Sequence, residues 1–193
     1  MDLIKLRNDS WLSTAELPQE LLDIDFDEMW EKHPEQYAQV KIAGKLINTP
    51  RWSQSYGKGY MYSGVEHDGI EVDPIFQPIL EWANTLGYGN FDQLLVNWYE
   101  NGLHYIGAHS DAEGDLVKGS AIVSISYGAE RKFRIRNKQT KEILLDVPLV
   151  NGSVVVMGGK FQKELTHEVP KIGGKKGLAT GRRINITLRQ FKV

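Results

Sequence analysis

The chain has no cysteine. Disulfides, thiolate zinc sites and cysteine-held iron–sulfur clusters are therefore excluded, and any metal must be held by His, Asp and Glu. The absence also suits a reducing compartment. No apolar run approaches the ~20 residues that a membrane-spanning helix needs. The opening residues, Met1-Asp2-Leu3-Ile4-Lys5, lack the apolar stretch of a secretory signal. The expectation is an intracellular protein of cytoplasm or nucleus, not secreted, with no membrane attachment. Nothing signals an obligate protein partner, so a monomer is expected. Internal repeats and low-complexity tracts are also missing. A large charge excess is missing too: the formal net charge is -2, which excludes a polycation overall.

What is present fits one well-buried core. The length of 193 residues is short for two full domains. Hydrophobic residues make up 41% and charged residues 25%, ordinary values for a globular chain. The charges are unevenly placed. Asp23, Asp25, Asp27, Glu28 and Glu31 cluster early, whereas Arg131, Lys132, Arg134, Arg136, Lys138 and Lys141 share one later segment. Lys160, Lys163, Lys171, Lys175, Lys176, Arg182 and Arg183 share another. Such a chain can bind a polyanion on one face.

Periodicity predicts little order in residues 1–22, where Pro18 breaks the pattern. A short helix is predicted over 25–37, from Phe26, Met29 and Trp30 at helical spacing. A strand is expected at 40–47, a turn-rich surface segment at 49–59, and an extended piece at 60–62. Residues 74–86 form a helix pattern stopped by Gly87. From Asp92 onward strand patterns follow one another at 93–99, 121–127, 132–136, 142–147, 153–157, 165–169 and 183–188. Asn151-Gly152 is a hairpin-type dipeptide. Many short strands at this spacing suggest a sandwich or jelly roll. Trp82 and Trp98 are assigned to the core, and His67 and His104 to solvent.

The stretch from Asn97 to Asp111 begins as a strand and ends in a polar turn. On extended backbone residues i and i+2 point the same way, so His109 and Asp111 can converge. Taken alone, a hydrogen-bonded structural pair is the plain alternative. His167, in Leu-Thr-His-Glu-Val-Pro, offers a third donor. Two His and a carboxylate make the facial triad of non-haem Fe(II), and zinc is possible on the same donors. Three protein ligands occupy one face of an octahedron. A bidentate 2-oxo acid takes two more positions and dioxygen the last. The acid's other carboxylate then needs a cation. The terminal strand offers Arg183 and Arg189 on one face with Asn185 and Thr187, opposite Ile184, Ile186 and Leu188.

Asn97-x-Tyr99, Gly102, Ile106, His109-x-Asp111, Ser124-x-Ser126-x-Gly128, Arg131-x-Phe133, Gly152, Met157, His167-x-Val169-Pro170 and Arg183-x-Asn185-x-Thr187-x-Arg189 together resemble the AlkB family of Fe(II)/2-oxoglutarate-dependent dioxygenases. The resemblance covers roughly residues 50–191 and looks closer to members that repair DNA or RNA than to protein-modifying ones. It implies an α+β fold: a double-stranded β-helix (jelly roll) core at 92–193, an N-terminal helical or irregular extension at 1–48, and a nucleotide-recognition lid with its supporting helix at 49–91. It implies that His109, Asp111 and His167 hold iron, and that Asn97, Tyr99, Arg183, Asn185 and Arg189 hold 2-oxoglutarate. Glu113 matches a carboxylate facing the damaged base, Tyr60 and Tyr62 lie in the segment bordering the base pocket, and Arg51 matches a substrate-side position. The implied reaction is oxidative demethylation of 1-methyladenine or 3-methylcytosine in DNA or RNA, with O2 consumed, ascorbate as reductant, and succinate, CO2 and formaldehyde released. The alternatives are a hydroxylase or demethylase of a protein or small molecule, and a non-catalytic binding module. Trp52 and Tyr56 are candidate contacts to the strand, and residues 131–141 a candidate phosphate-binding ridge.

Overall fold

The computed structural model describes residues 2–62, 65–111 and 115–192, with backbone alone for 42, 60–62 and 66. The chain opens with strands β1 (Asp2–Arg7) and β2 (Ser10–Glu16), then short helices α1 (Gln19–Leu22) and α2 (Phe26–Trp30). Strands β3 (Gln39–Ile42), β4 (Lys45–Asn48), β5 (Trp52–Gly57), β6 (Tyr60–Tyr62), β7 (Val65–His67) and β8 (Gly69–Ile70) lead to helix α3 (Gln77–Thr85). Next come β9 (Gln93–Tyr99), β10 (Ile106–His109), β11 (Ile122–Gly128), β12 (Arg131–Asn137), β13 (Ile143–Leu149) and β14 (Ser153–Gly159). Helix α4 (Phe161–Glu164), β15 (Leu165–Val169), α5 (Gly174–Leu178) and β16 (Arg183–Arg189) complete the order.

Two sheets face each other as a jelly roll. The larger has the order β1-β2-β14-β11-β16-β9-β5-β8, and the smaller β10-β15-β12-β13. The central strands of the larger sheet, β9 and β16 above all, are buried on both faces, because helices cover its outside. Leu94, Val96, Trp98, Ile125, Ile184, Ile186 and Leu188, each 0% exposed, pack outward with Met29, Phe76 and Ile79. Leu12, Ile122, Phe133, Ile135, Val155 and Leu165 fill the space between the sheets. Trimming such a residue, Ile186→Val for instance, costs about 0.5–1.5 kcal/mol. At one end of that space the apolar filling gives way to the polar face of β16.

Several sequence expectations are corrected. Residues 1–22 are not irregular: β2 pairs antiparallel with β14 along its whole length, a partner too distant for local pattern to reveal. The helix expected over 25–37 stops at Trp30, ahead of Pro34, which disfavours helix in the residue before it. Asp25 caps its start, accepting the N–H groups of Asp27 and Glu28, worth about 1 kcal/mol. The strand expected at 40–47 is a hairpin, since Ala43 (φ 48°) and Gly44 (φ 81°) form its turn. Residues 49–59 are no surface turn: β5 pairs with β9 inside the larger sheet. The second helix begins at Gln77 rather than 74, with Pro78 in its first turn. Asn151-Gly152 closes no hairpin. It carries the chain from β13, paired only with β12, across to β14, paired with β11 and β2. Among the described residues no helix is long and apolar enough to cross a membrane.

Candidate metal and anion site

Register brings the metal donors together. β10 pairs with β15 so that His109 lies opposite His167, with ring centroids 4.3 Å apart. Asp111 follows on the exit turn. One ligand atom from each of the three lies within 4.8 Å of the others. His109 Nδ1 bonds the carbonyl of Gly107 at 2.8 Å. A carbonyl only accepts, so Nδ1 carries the proton and Nε2 keeps its lone pair. The Asp111 N–H donates to Gln162 Oε1 at 2.9 Å, and its Oδ1 accepts from Arg189 Nη2 at 2.8 Å. Asp111 Oδ2 is buried with no hydrogen-bond partner.

The protonation states suit a cation. Burial pushes His167 down to about 3 and also lowers His109. Both imidazoles are thus neutral near pH 7, the form that ligates metal. Burial alone would raise the Asp111 carboxyl, but Arg189, His167 and His109 outweigh it and hold it at about 2. Two neutral nitrogens, an ionised carboxylate and one idle carboxylate oxygen fit a divalent ion of the Fe(II) class.

The polar face of β16 forms the other half. Register sets Arg183 beside Tyr99, Asn185 beside Asn97, and Arg189 beside Gln93. Arg183 is 1% exposed. Its Nη2 donates to Ser126 Oγ at 2.9 Å, while Nε and Nη1 have no acceptor. The Tyr99 ring centroid lies 5.0 Å from its guanidinium carbon. Burial pushes the guanidinium down to about 10, still cationic at neutral pH. A buried cation with idle donors and no carboxylate partner is a socket for an anion. Asn185 is engaged otherwise, donating to Ser124 Oγ and the Ile125 carbonyl. Arg189 is held between Asp111 and Gln93. The enclosed cavity, about 60 Å³, is lined by the three metal donors and by Asn97, Tyr99 and Arg183. One water needs roughly 10–15 Å³ on this measure, so the space exceeds that of a lone ion.

Other expected residues fall differently. Arg51 is buried and bonds Asn97. Tyr60 and Tyr62 lie on β6, paired with β7, and only their backbone is described. Glu113 lies outside the described residues. Tyr56 belongs to the core, at 3% exposed, instead of reaching a nucleic acid. Trp52 is half-buried, stacked with His33 at 4.4 Å and Tyr37 at 4.9 Å. The ridge at 131–141 is offset in part: Lys132 and Arg134 share the carboxylate of Asp146, and Arg136 pairs with Glu168. Arg131 is 2% exposed and donates to the carbonyls of His104 and Pro170. Alternation with Phe133 and Ile135 would have turned it inward. His104 and His67 are not solvent residues. His104 is 9% exposed and accepts the Glu100 N–H, and His67 is half-buried. Gln162, which fixes the Asp111 backbone, had no sequence signal, whereas Gln93 shares the inward alternation of Asn97 and Tyr99.

The sequence model of the 2OG-Fe(II) oxygenase superfamily matches residues 9–189. The chain is 31% identical over 164 residues to the human "DNA oxidative demethylase ALKBH2", covering 80% of this chain and 61% of that protein. It is 33% identical over 135 residues to the human "Alpha-ketoglutarate-dependent dioxygenase alkB homolog 3", covering 63% and 46%. The chain therefore spans about three fifths and about half of these two relatives. Among solved structures, that of "OsALKBH1" superposes with a TM-score of 0.60 at 18% identity, over 98% of this chain and 100% of that one, a likeness of fold.

Proposed function

The chain belongs to the 2OG-Fe(II) oxygenase superfamily, among its AlkB-like Fe(II)/2-oxoglutarate-dependent dioxygenases, and on that premise we propose that it demethylates N-alkylated bases of the 1-methyladenine and 3-methylcytosine type in DNA or RNA. The observation that carries the cofactor assignment is the pairing in one cavity of an idle Asp111 oxygen with the idle N–H groups of Arg183. A metal-chelating dicarboxylate answers both at once. When bound, iron with 2-oxoglutarate and O2 supplies the oxidation that hydroxylates the N-methyl carbon, which leaves as formaldehyde while 2-oxoglutarate becomes succinate and CO2.

The residues have distinct tasks in this proposal. His109, Asp111 and His167 hold the metal, and Arg189 steadies Asp111. Arg183 receives the far carboxylate of 2-oxoglutarate over the Tyr99 ring, with Asn97 alongside and Asn185 bracing β16 against β11. Glu113, Tyr60 and Tyr62 are assigned to the base. A base methylated at its Watson–Crick edge is cationic, and a carboxylate such as Glu113 offsets that charge and accepts the exocyclic amine. The base must leave the stack to reach the cavity, at a few kcal/mol in a duplex. Lys175 and Lys176 on α5 form no ion pair among the described residues and are the cations assigned to phosphates. On this reading the enzyme works inside the cell as a monomer, with ascorbate as reductant.

Purified protein with Fe(II), ascorbate and 2-oxoglutarate should release formaldehyde from oligonucleotides carrying either lesion. Rates on single-stranded DNA, duplex DNA and RNA, measured side by side, would rank the substrates. Methylated oligonucleotide left unchanged, with metal and co-substrate demonstrably bound, refutes the proposal and directs attention to a protein or small-molecule substrate.

A further inference from the structure

Arg51 lies just ahead of β5 and is 5% exposed. Its Nε donates to Asn97 Oδ1 at 2.7 Å, and Ser53 Oγ donates to the same oxygen at 2.8 Å. An amide oxygen has two lone pairs, so this one is saturated. Turning the carboxamide over would set its NH2 against the Arg51 guanidinium, which can only donate. Asn97 lines the cavity, and its Nδ2 meets no acceptor among the described residues. A second nitrogen of the same guanidinium, Nη1, reaches the Tyr105 carbonyl at 3.5 Å, directly before the strand that carries His109. One side chain thus ties β9 to β10.

We infer that Arg51 is a positioning residue for the 2-oxo acid. It locks the Asn97 carboxamide with its nitrogen toward the cavity, so that the pocket offers a donor to a carboxylate or keto oxygen and disfavours a ligand presenting N–H there. The inference rests on the 2-oxoglutarate reading of the cavity. It moves Arg51 from the substrate side of the site to the co-substrate side, because the hydrogen bonds of its Nε and Nη1 go to β9 and to the approach to β10.

The test is a double-mutant cycle read by calorimetric titration of 2-oxoglutarate into the full chain loaded with Mn(II), which reports binding without turnover. Asn97→Ala and Arg51→Met should each weaken binding about tenfold, the scale of a lost hydrogen bond. The double variant should be no weaker than either, because both remove the same donor. Ser53→Ala deletes only a half-buried hydroxyl, so it guards against misfolding of Arg51→Met. It should weaken binding about threefold, and not at all in the Asn97→Ala background. Multiplying losses, or wild-type affinity in Arg51→Met or Ser53→Ala, overturns the positioning role. An Asn97→Ala variant that binds 2-oxoglutarate as tightly as wild type also overturns the positioning role, whereas a wild-type protein that takes up no 2-oxoglutarate overturns the cofactor reading itself and the inference with it.

Discussion

Arg183 lets the anion socket be tested against protein stability. Two of its nitrogens are buried without acceptors. Each such group costs about 1–3 kcal/mol. The Tyr99 ring returns about 1–2 kcal/mol, and the Ser126 bond about as much. Arg183→Met keeps much of the volume and removes the charge, so the ligand-free protein should gain about 1–2 kcal/mol. For a chain of this size that raises Tm by roughly 2–8 °C. Binding should move the other way. A buried carboxylate losing a bidentate cationic partner forfeits about 3–4 kcal/mol, a few hundredfold in affinity. At 2-oxoglutarate one hundred times the wild-type Kd, ligand stabilises wild type by about 2.7 kcal/mol and the variant by only about 0.2 kcal/mol. Thermal melts of the Mn(II)-loaded proteins, with and without 2-oxoglutarate, read both effects. A variant that melts lower without ligand and keeps the full ligand shift would refute the socket.

Three further outcomes are expected. Burial lowers the His104 imidazole, with Glu100 pulling the other way. The unfolded chain then takes up the proton first, so stability should be full above about pH 6.5 and fall as pH drops below it. His104→Asn should lessen, without abolishing, that slope in urea midpoints between pH 7 and 5, since His67, His109 and His167 are lowered by burial too; an unchanged slope would remove His104 as a contributor. Gly158 lies under the Trp11 ring, where an added methyl would overlap the indole. Gly158→Ala should cost about 1–3 kcal/mol and selectively expose the amides of β1 and β2 to hydrogen exchange; a uniform loss of protection would contradict the assigned packing. Lys175→Ala with Lys176→Ala should lower the salt slope of oligonucleotide binding by about 1.4–1.8, whereas Lys132→Ala with Arg134→Ala should lower it by less, because Asp146 already offsets one of those two charges.

Most strands after Asp92 were legible because their alternation is local, but β10, only four residues long, was not among those expected. β9 and β15 match their expected bounds, and β16 runs one residue further. That His109, Asp111 and His167 converge was legible because i and i+2 share a face and a third donor stood on a later strand pattern. The first sixty residues were not, because β2 and β5 look polar and take partners far along the chain, in β14 and β9. How far the charges of 131–141 are offset was not legible, because a strand's charges say nothing of what faces them. Asp146 and Glu168 come from neighbouring strands. The links that orient the site are equally non-local: 46 positions separate Arg51 from Asn97, and 51 separate Asp111 from Gln162.

β16 lies between β11 and β9. During synthesis β9 ends at Tyr99, but its neighbour starts only at Arg183. At ribosomal rates of about 5–20 residues per second, that gap leaves roughly 4–17 s in which the β9 edge waits unpaired, joined only later by the edge of β11. Such edges invite chaperones or aggregation. The closing strand then delivers Arg183, Asn185 and Arg189 in one movement. The capacity to grip an acid thus waits on β16, and uptake of 2-oxoglutarate would stabilise only molecules in which that strand has closed the sheet.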